Sequence, residues 1–344
     1  MQWRNLVLDL KKYGFMPAAM PQDAHGVPAR VTAVHKERYA LVCEYGEIHG
    51  RLKTTEYYKG FEPFPTTGDF VLINYNPYGD SQIIQTLSRR TFFSRLHPTP
   101  GRGEQAVAAN FDYVFILQSM NHDFNMKRLE RYLTLAWQSG AVPVVVLTKA
   151  DLAKDANSYI QQAMYYASGV PVYTVSSKTG TGMNALMKYM IPGKTIVFLG
   201  SSGVGKSSLV NALAEHEIMT VNGIRESDSK GRHTTTHRQL IMLKNGTMII
   251  DTPGMRELGM WGISEGLGQA FADVEGIVGK CRFHNCSHQT EPGCAVIKSI
   301  ANGELSAEHW ESYLKLKCEA KGSARQNNPA TQKRKNMHGT KYKK

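Results

Sequence analysis

Phe198-Leu199-Gly200-Ser201-Ser202-Gly203-Val204-Gly205-Lys206-Ser207-Ser208 is the stretch that decides the fold. Its middle matches GxxxxGK[ST], and it lies where that pattern works, after an apolar strand at 195–199 and before a helix carrying Leu209, Val210 and Leu213. Glycines let successive backbone N–H groups turn inward around a phosphate, Lys206 reaches the β- and γ-phosphate oxygens, and the Ser207 hydroxyl is a magnesium ligand. The strand, loop and helix therefore predict a P-loop nucleotide site in an α/β domain.

Upstream, apolar strands at 111–118, 142–147 and 170–175 alternate with helical patterns at 126–138, 159–166 and 183–190. Such alternation predicts a mostly parallel sheet covered on both faces. The strand at 142–147 runs into Thr148-Lys149-Ala150-Asp151, and the next strand runs into Ser176-Ser177-Lys178. An Asp placed there accepts from guanine N1–H and N2–H2, the Lys stem covers the ring, and adenine would leave the carboxylate unpaired. Thr148 stands where asparagine is commoner, which predicts a weaker loop-bracing hydrogen bond.

Downstream, strands at 239–243 and 247–250 lead into Asp251-Thr252-Pro253-Gly254. A DxxG string arises about once per random chain of this length, so its company makes it informative: Asp251 would hold magnesium and the Gly254 N–H would meet the γ-phosphate. Between P-loop and DxxG lies Gly231-Arg232-His233-Thr234-Thr235-Thr236, placed where a switch threonine reaches magnesium; Thr235 is the first candidate and Thr234 the second. After DTPG stands Met255, whose thioether cannot orient an attacking water. His233 is the candidate for that role, with Arg232 as a charge stabiliser, against the plainer reading of an exposed loop residue.

Residues 29–95 carry five short apolar runs, at 31–34, 39–43, 48–52, 70–73 and 83–87, punctuated by glycines. Five strands in so short a span predict an OB-type barrel. The Pro- and Gly-rich segment 97–109 reads as a linker. Beyond the α/β unit, Cys281, Cys286 and Cys294 cluster with His284 and His288. Three thiolates and one imidazole suit a closed, structural zinc site, with either His284 or His288 as the fourth ligand. Cys43 and Cys318 read as packing residues. A helical stretch follows from about 304 to 320.

Length and charge bound the rest. The 344 residues allow two or three domains. Lys and Arg number 41 against 29 Asp and Glu, and eight of the basic residues fall in positions 321–344, where no acidic residue occurs. That tail has no core-forming composition and reads as disordered; with Tyr342 among its lysines, it and the barrel suggest RNA. No apolar run approaches the roughly 20 residues of a membrane span. Few cysteines and no secretory signal pattern predict a cytoplasmic chain.

The base-reading strings precede the phosphate-reading strings, a circular permutation of the usual GTPase order. It gives nucleotide state a route into the Cys/His segment. With TKAD, SSK, GSSGVGKS, GRHTTT, DTPG and the Cys/His spacing together, the chain resembles the small ribosomal subunit biogenesis GTPase A family over about 29–320. The resemblance implies an OB-like RNA-binding barrel with an N-terminal extension (1–100), a circularly permuted α/β GTPase domain (101–275), an α-rich zinc-binding module (276–320) and a basic tail (321–344). It implies Lys206, His233 and Thr235 in hydrolysis. It implies GTP and GDP on Thr148, Lys149, Asp151, Ser176, Ser177, Lys178, Gly200 to Ser208, Thr234, Thr235, Asp251 and Gly254. Magnesium would fall on Ser207, Thr235 and Asp251, and zinc on Cys281, Cys286, His288 and Cys294. The implied partner is the small ribosomal subunit with its ribosomal RNA, which stimulates hydrolysis; a monomer is the default expectation, the sequence being silent on oligomeric state. Two rivals stand beside this reading: a nucleotide-gated RNA-binding protein whose hydrolysis is incidental, and a P-loop ATPase or small-molecule kinase.

Overall fold

Strands β1 (Val27–His35), β2 (Arg38–Cys43), β3 (Gly46–Leu52), β4 (Phe70–Asn74) and β5 (Ser81–Thr86) close on themselves in the order β1-β2-β3-β5-β4, with β4 returning to β1. The structure is a computed structural model that describes residues 8–35, 38–53, 57, 64–96, 104–219, 238–251 and 263–326. Ala29, Val31, Leu41, Val71, Ile73 and Ile83 fill the barrel's interior. β3 pairs parallel with β5 through Gly50 and Ser81, the closure expected of a five-stranded OB-like barrel.

Residues 104–109, part of the expected linker, form a strand. β7 (Glu104–Ala109) pairs antiparallel with β6 (Phe92–Leu96), Phe92 opposite Ala109. Small residues without alternation give no strand signal; burial of Val107, Ala108 and Ala109 against neighbours imposes the conformation.

A six-stranded sheet comes next, in the order β10-β9-β8-β11-β13-β12. Its members are β8 (Tyr113–Ser119), β9 (Val142–Thr148), β10 (Val172–Thr174), β11 (Thr195–Leu199), β12 (Gln239–Met242) and β13 (Met248–Asp251). All neighbours are parallel except β12 and β13. Helix α1 (Met126–Gln138) starts where the Asn125 side chain accepts from the Arg128 N–H at 2.9 Å, and it buries Leu129, Tyr132, Leu133 and Ala136 at helical spacing on one sheet face. Helix α2 (Ala156–Tyr166) joins that face through Ala163, and α3 (Lys206–Ala214) covers the other with Leu209, Val210 and Leu213. The helix expected at 183–190 is a seven-residue 3-10 helix, Met183–Tyr189, bounded by Gly182 and followed closely by Pro192.

Four further helices are α4 (Ser264–Ala270), α5 (Ala272–Val278), α6 (Ala295–Ala301) and α7 (Ala307–Gln326). Val274, Val296, Leu305, Tyr313 and Leu316 belong to the same apolar cluster as Leu129 and Leu133, so the Cys/His segment shares its core with the sheet, and the 275/276 boundary falls inside α5. α7 also runs past Lys321, since Lys321, Ala324 and Arg325 are good helix formers. Cys43 is buried, but Cys318 is exposed: it lies off the inward stripe of Tyr313 and Leu316, which corrects its reading as a packing residue. Among the described residues no helix is long and apolar enough to cross a membrane.

Barrel and sheet meet edge to edge. β1 pairs antiparallel with β12, Ala33 opposite Gln239, and the Thr67 hydroxyl donates to the Arg238 carbonyl at 3.2 Å. Gly68, at φ +94°, permits the approach; a Cβ there would stand 2.1 Å from the Ala109 oxygen. Beside it the buried Arg30 donates to the Asn110 carbonyl at 2.8 Å, Thr195 Oγ1 at 3.0 Å, the Gly68 carbonyl at 3.3 Å and the Tyr13 carbonyl at 2.5 Å. Burial lowers its pKa to about 9, which leaves it cationic at neutral pH.

Candidate functional site

The C-terminal ends of β8, β9, β10, β11 and β13 lie along one edge of the sheet, and the chain reverses direction across it between β8 and β11. Ligands of open α/β sheets bind at such a switch point. Five short segments converge there. Gly200 to Gly205 leave β11, with Gly203 and Gly205 at φ +73° and +100°, and Lys206 opens α3. This bend turns backbone N–H groups toward a common centre at a helix N-terminus.

Asp251 ends β13 almost fully buried, and Lys206 Nζ reaches its Oδ1 at 2.7 Å. Ser207 and Ser208 follow in the first turn of α3. At the end of β9 the chain turns through Lys149 at φ +60° into a 3-10 turn, Ala150–Leu152, presenting an exposed Asp151. The Ser176 hydroxyl donates to Asp151 Oδ1 at 2.6 Å, and that bond holds the Asp151 carboxyl below its usual range. Ser177 and Lys178 continue the same loop.

Thr148 ends β9. Its hydroxyl donates at 2.5 Å to the carbonyl of Val204 in the glycine loop, so the side chain beside Lys149 and Asp151 is tied directly to the P-loop.

Asp123 was not foreseen. Ser201 Oγ donates to Asp123 Oδ2, and Arg128 clamps the same carboxylate through Nη1 at 3.2 Å and Nη2 at 2.9 Å. In the sequence, Asn121 to Asn125 carry only turn and cap signals. Gln118, whose Oε1 accepts from the Asn125 N–H, is fully buried, its Nε2 without a hydrogen-bond partner among the described residues. His233, Thr234, Thr235 and Gly254, with Arg232 and Met255, lie outside the described residues.

The second cluster sits between α5 and α6. One ligand atom from each of Cys281, Cys286, His288 and Cys294 lies within 4.8 Å of the others. Cys281 Sγ is 3.9 Å from Cys294 Sγ and 3.5 Å from His288 Nδ1, and Cys294 Sγ is 3.6 Å from His288 Nδ1. Metal–sulfur bonds of roughly 2.3 Å at tetrahedral angles require edges of about 3.7 Å, which the three edges among Cys281, His288 and Cys294 match, with Cys286 close enough to be the fourth ligand. His288 takes φ +59° to point inward, while His284 is exposed and outside the set.

Comparison with known proteins finds relatives over most of the chain. The family model described as RsgA GTPase matches residues 86–261. The small ribosomal subunit biogenesis GTPase RsgA 2 of Listeria monocytogenes serotype 4b (strain F2365) is 46% identical over 326 residues, covering 94% of this chain and 92% of the relative. Its namesake in Vibrio parahaemolyticus serotype O3:K6 (strain RIMD 2210633) is 43% identical over 312 residues, covering 89% and 84%. Among solved structures, YjeQ from Thermotoga maritima superposes with a TM-score of 0.63 at 26% identity over 84% of this chain and 96% of that one. YloQ, a circularly permuted GTPase, gives 0.59 at 25% identity over 88% and 97%.

Proposed function

Since the chain belongs to the RsgA GTPase family, a family of GTP-hydrolysing enzymes, we propose that it binds the small ribosomal subunit and its ribosomal RNA during late assembly. There it hydrolyses GTP to GDP and phosphate, stimulated by the subunit. The observation that carries this reading is the convergence of Thr148 to Asp151, Ser176, the Gly200 to Lys206 loop and Asp251 on one sheet edge, from segments in permuted order.

Each group has a role. Asp151, oriented by Ser176, accepts from the guanine edge, and the stem of Lys149 lies over the base. The backbone N–H groups of Ser201 to Lys206 and the Lys206 ammonium hold the β- and γ-phosphates. Ser207, Asp251 and a switch threonine, Thr235 before Thr234, are the magnesium ligands. Magnesium bound with the nucleotide neutralises charge building on the phosphate oxygens. Nucleotide loading separates Lys206 from Asp251, sending the ammonium to phosphate and freeing the carboxylate. His233, aided by Arg232, orients the water that Met255 cannot, and the Gly254 N–H senses the γ-phosphate.

Zinc on Cys281, Cys286, His288 and Cys294 fits the donor chemistry, three thiolates and an imidazole with no open position, so its role is to hold the 281–294 loop shut rather than to react. The test is steady-state GTP turnover with and without purified small subunits. Stimulation well above threefold is expected, and Lys206→Ala should abolish turnover in both conditions. Stimulation below about threefold favours an RNA-binding protein with incidental hydrolysis, and normal stimulated turnover by Lys206→Ala refutes the phosphate site.

A further inference from the structure

Between Cys281 and Cys286 the chain carries Arg282-Phe283-His284-Asn285, four residues all exposed to solvent. Phe283 leaves 43% of its surface open and stands outside the apolar core. The loop holding it is short and anchored. Its two ends are ligands of one tetrahedral set, the Cys286 N–H donates to the Phe283 carbonyl at 3.3 Å, and the Arg282 N–H donates to the Gly293 carbonyl at 3.3 Å. An aromatic ring fixed in water on a stiff loop has apolar area and little conformational entropy left to lose on binding.

The unpaired charge of the 280–298 segment is basic. Lys280, Arg282 and Lys298 are exposed and make no ion pair among the described residues, and the Arg282 guanidinium lies 5.6 Å from the Phe283 ring centre. Nearby carboxylates are engaged internally. Glu291 accepts from the N–H groups of Ser287 at 2.8 Å, Gln289 at 3.1 Å and Thr290 at 3.2 Å, and also from the Ser287 hydroxyl. Glu275 accepts from the Tyr313 hydroxyl at 2.6 Å, and Asp273 pairs with His309. Barrel residues 27–87, in contrast, contain six Lys and Arg against seven Asp and Glu, so the barrel strands offer no such excess.

We propose that the 282–285 loop is a binding site for an unpaired nucleotide of RNA, with its base stacked on the open face of Phe283 and its flanking phosphates against Arg282, Lys280 and Lys298. His284 and Asn285, exposed and next in the chain, offer hydrogen-bonding groups for the base edge. A stacked base joined to two phosphates matches both halves of the surface, the aromatic face and the unpaired cations. The metal cluster then does more than close a loop: it presents the reading residue. This inference rests on the small subunit being the partner.

The test uses the full-length, zinc-loaded chain and purified small subunits at fixed salt, with metal content measured for every variant. Phe283→Ala should weaken binding at least fivefold, the loss of one base stack being on the order of 1 to 3 kcal/mol, and Phe283→Trp should bind within about twofold of the native chain. A photo-cross-linking phenylalanine analogue at position 283 should label RNA. Unchanged binding by Phe283→Ala, a loss that tryptophan does not restore, or cross-links confined to ribosomal protein would overturn the proposal, the last favouring an acidic protein surface. Failure of the native chain to bind subunits at all would remove the partner reading instead. The loop is then decided on a short single-stranded RNA oligonucleotide, for which the same order of affinities must hold.

Discussion

Thr148 shows how one hydroxyl can serve two halves of a nucleotide site. It ends β9 beside the base-reading Lys149 and Asp151, yet its hydrogen bond runs to Val204 in the phosphate-binding loop. Thr148→Val keeps the shape and removes the donor, stranding a buried carbonyl at a net loss of about 1 kcal/mol. GDP affinity measured by calorimetry should therefore fall about fivefold; an unchanged dissociation constant would show the tie to be idle. The sequence made Lys206, Asp151 and Asp251 legible because each belongs to a spaced string. It left Thr148's reach and the Asp123 to Ser201 contact unseen, since those are set by which strand ends become neighbours across the sheet.

At the scale of the element, helix α7 is latched to the rest by a buried charge group. His309 donates through Nδ1 to Glu130 of α1 and through Nε2 to Asp273 of α5 at 3.1 Å, and its ring stacks on Phe271 at 4.9 Å. Ser312 donates to Glu130 as well, and Arg131 grips Glu319 at 2.7 Å. Burial disfavours the imidazolium, but the bonds to Asp273 and Glu130 outweigh it and push His309 up to about 9. A folded pKa above the unfolded value of about 6.5 adds stability in full below pH 6.5 and loses it as pH rises through 9. Urea midpoints should thus fall between pH 6.5 and 9 by the equivalent of about 3 kcal/mol, and His309→Gln should flatten that slope; a native slope equal to the variant's would dismiss the latch. The helical stretch read at about 304 to 320 foretold most of α7, but not its docking, because an isolated His or Glu carries no signal for a partner 179 residues away. β7 was missed for the same reason: its strand character comes from β6, not from its own alanines.

For the whole molecule, the decisive residue is Arg30. Its guanidinium collects carbonyls from Tyr13, Gly68 and Asn110 and the hydroxyl of Thr195, from the barrel side and the sheet side of the junction alike. Arg30→Met keeps apolar volume but strands several buried acceptors, at a cost of about 2 to 4 kcal/mol. Urea unfolding should shift accordingly, and subunit-stimulated GTP turnover should drop more than basal turnover, because the barrel loses its fixed bearing on the sheet. Equal drops would mean that Arg30 supports stability alone. The barrel was legible from short apolar runs between glycines and the sheet from apolar strands alternating with helical patterns, while the seam between them was not: pairing of Ala33 with Gln239 joins residues more than 200 positions apart. That seam joins the two bodies through hydrogen-bonded strands. β12 is the first described strand after the segment that holds His233 and Thr235, and it is hydrogen-bonded on one flank to β13, which ends at Asp251, and on the other to the barrel. A load on the barrel therefore reaches, like tension through a woven selvage, the strand bearing Asp251, and a shift of that strand reaches the barrel by the same thread.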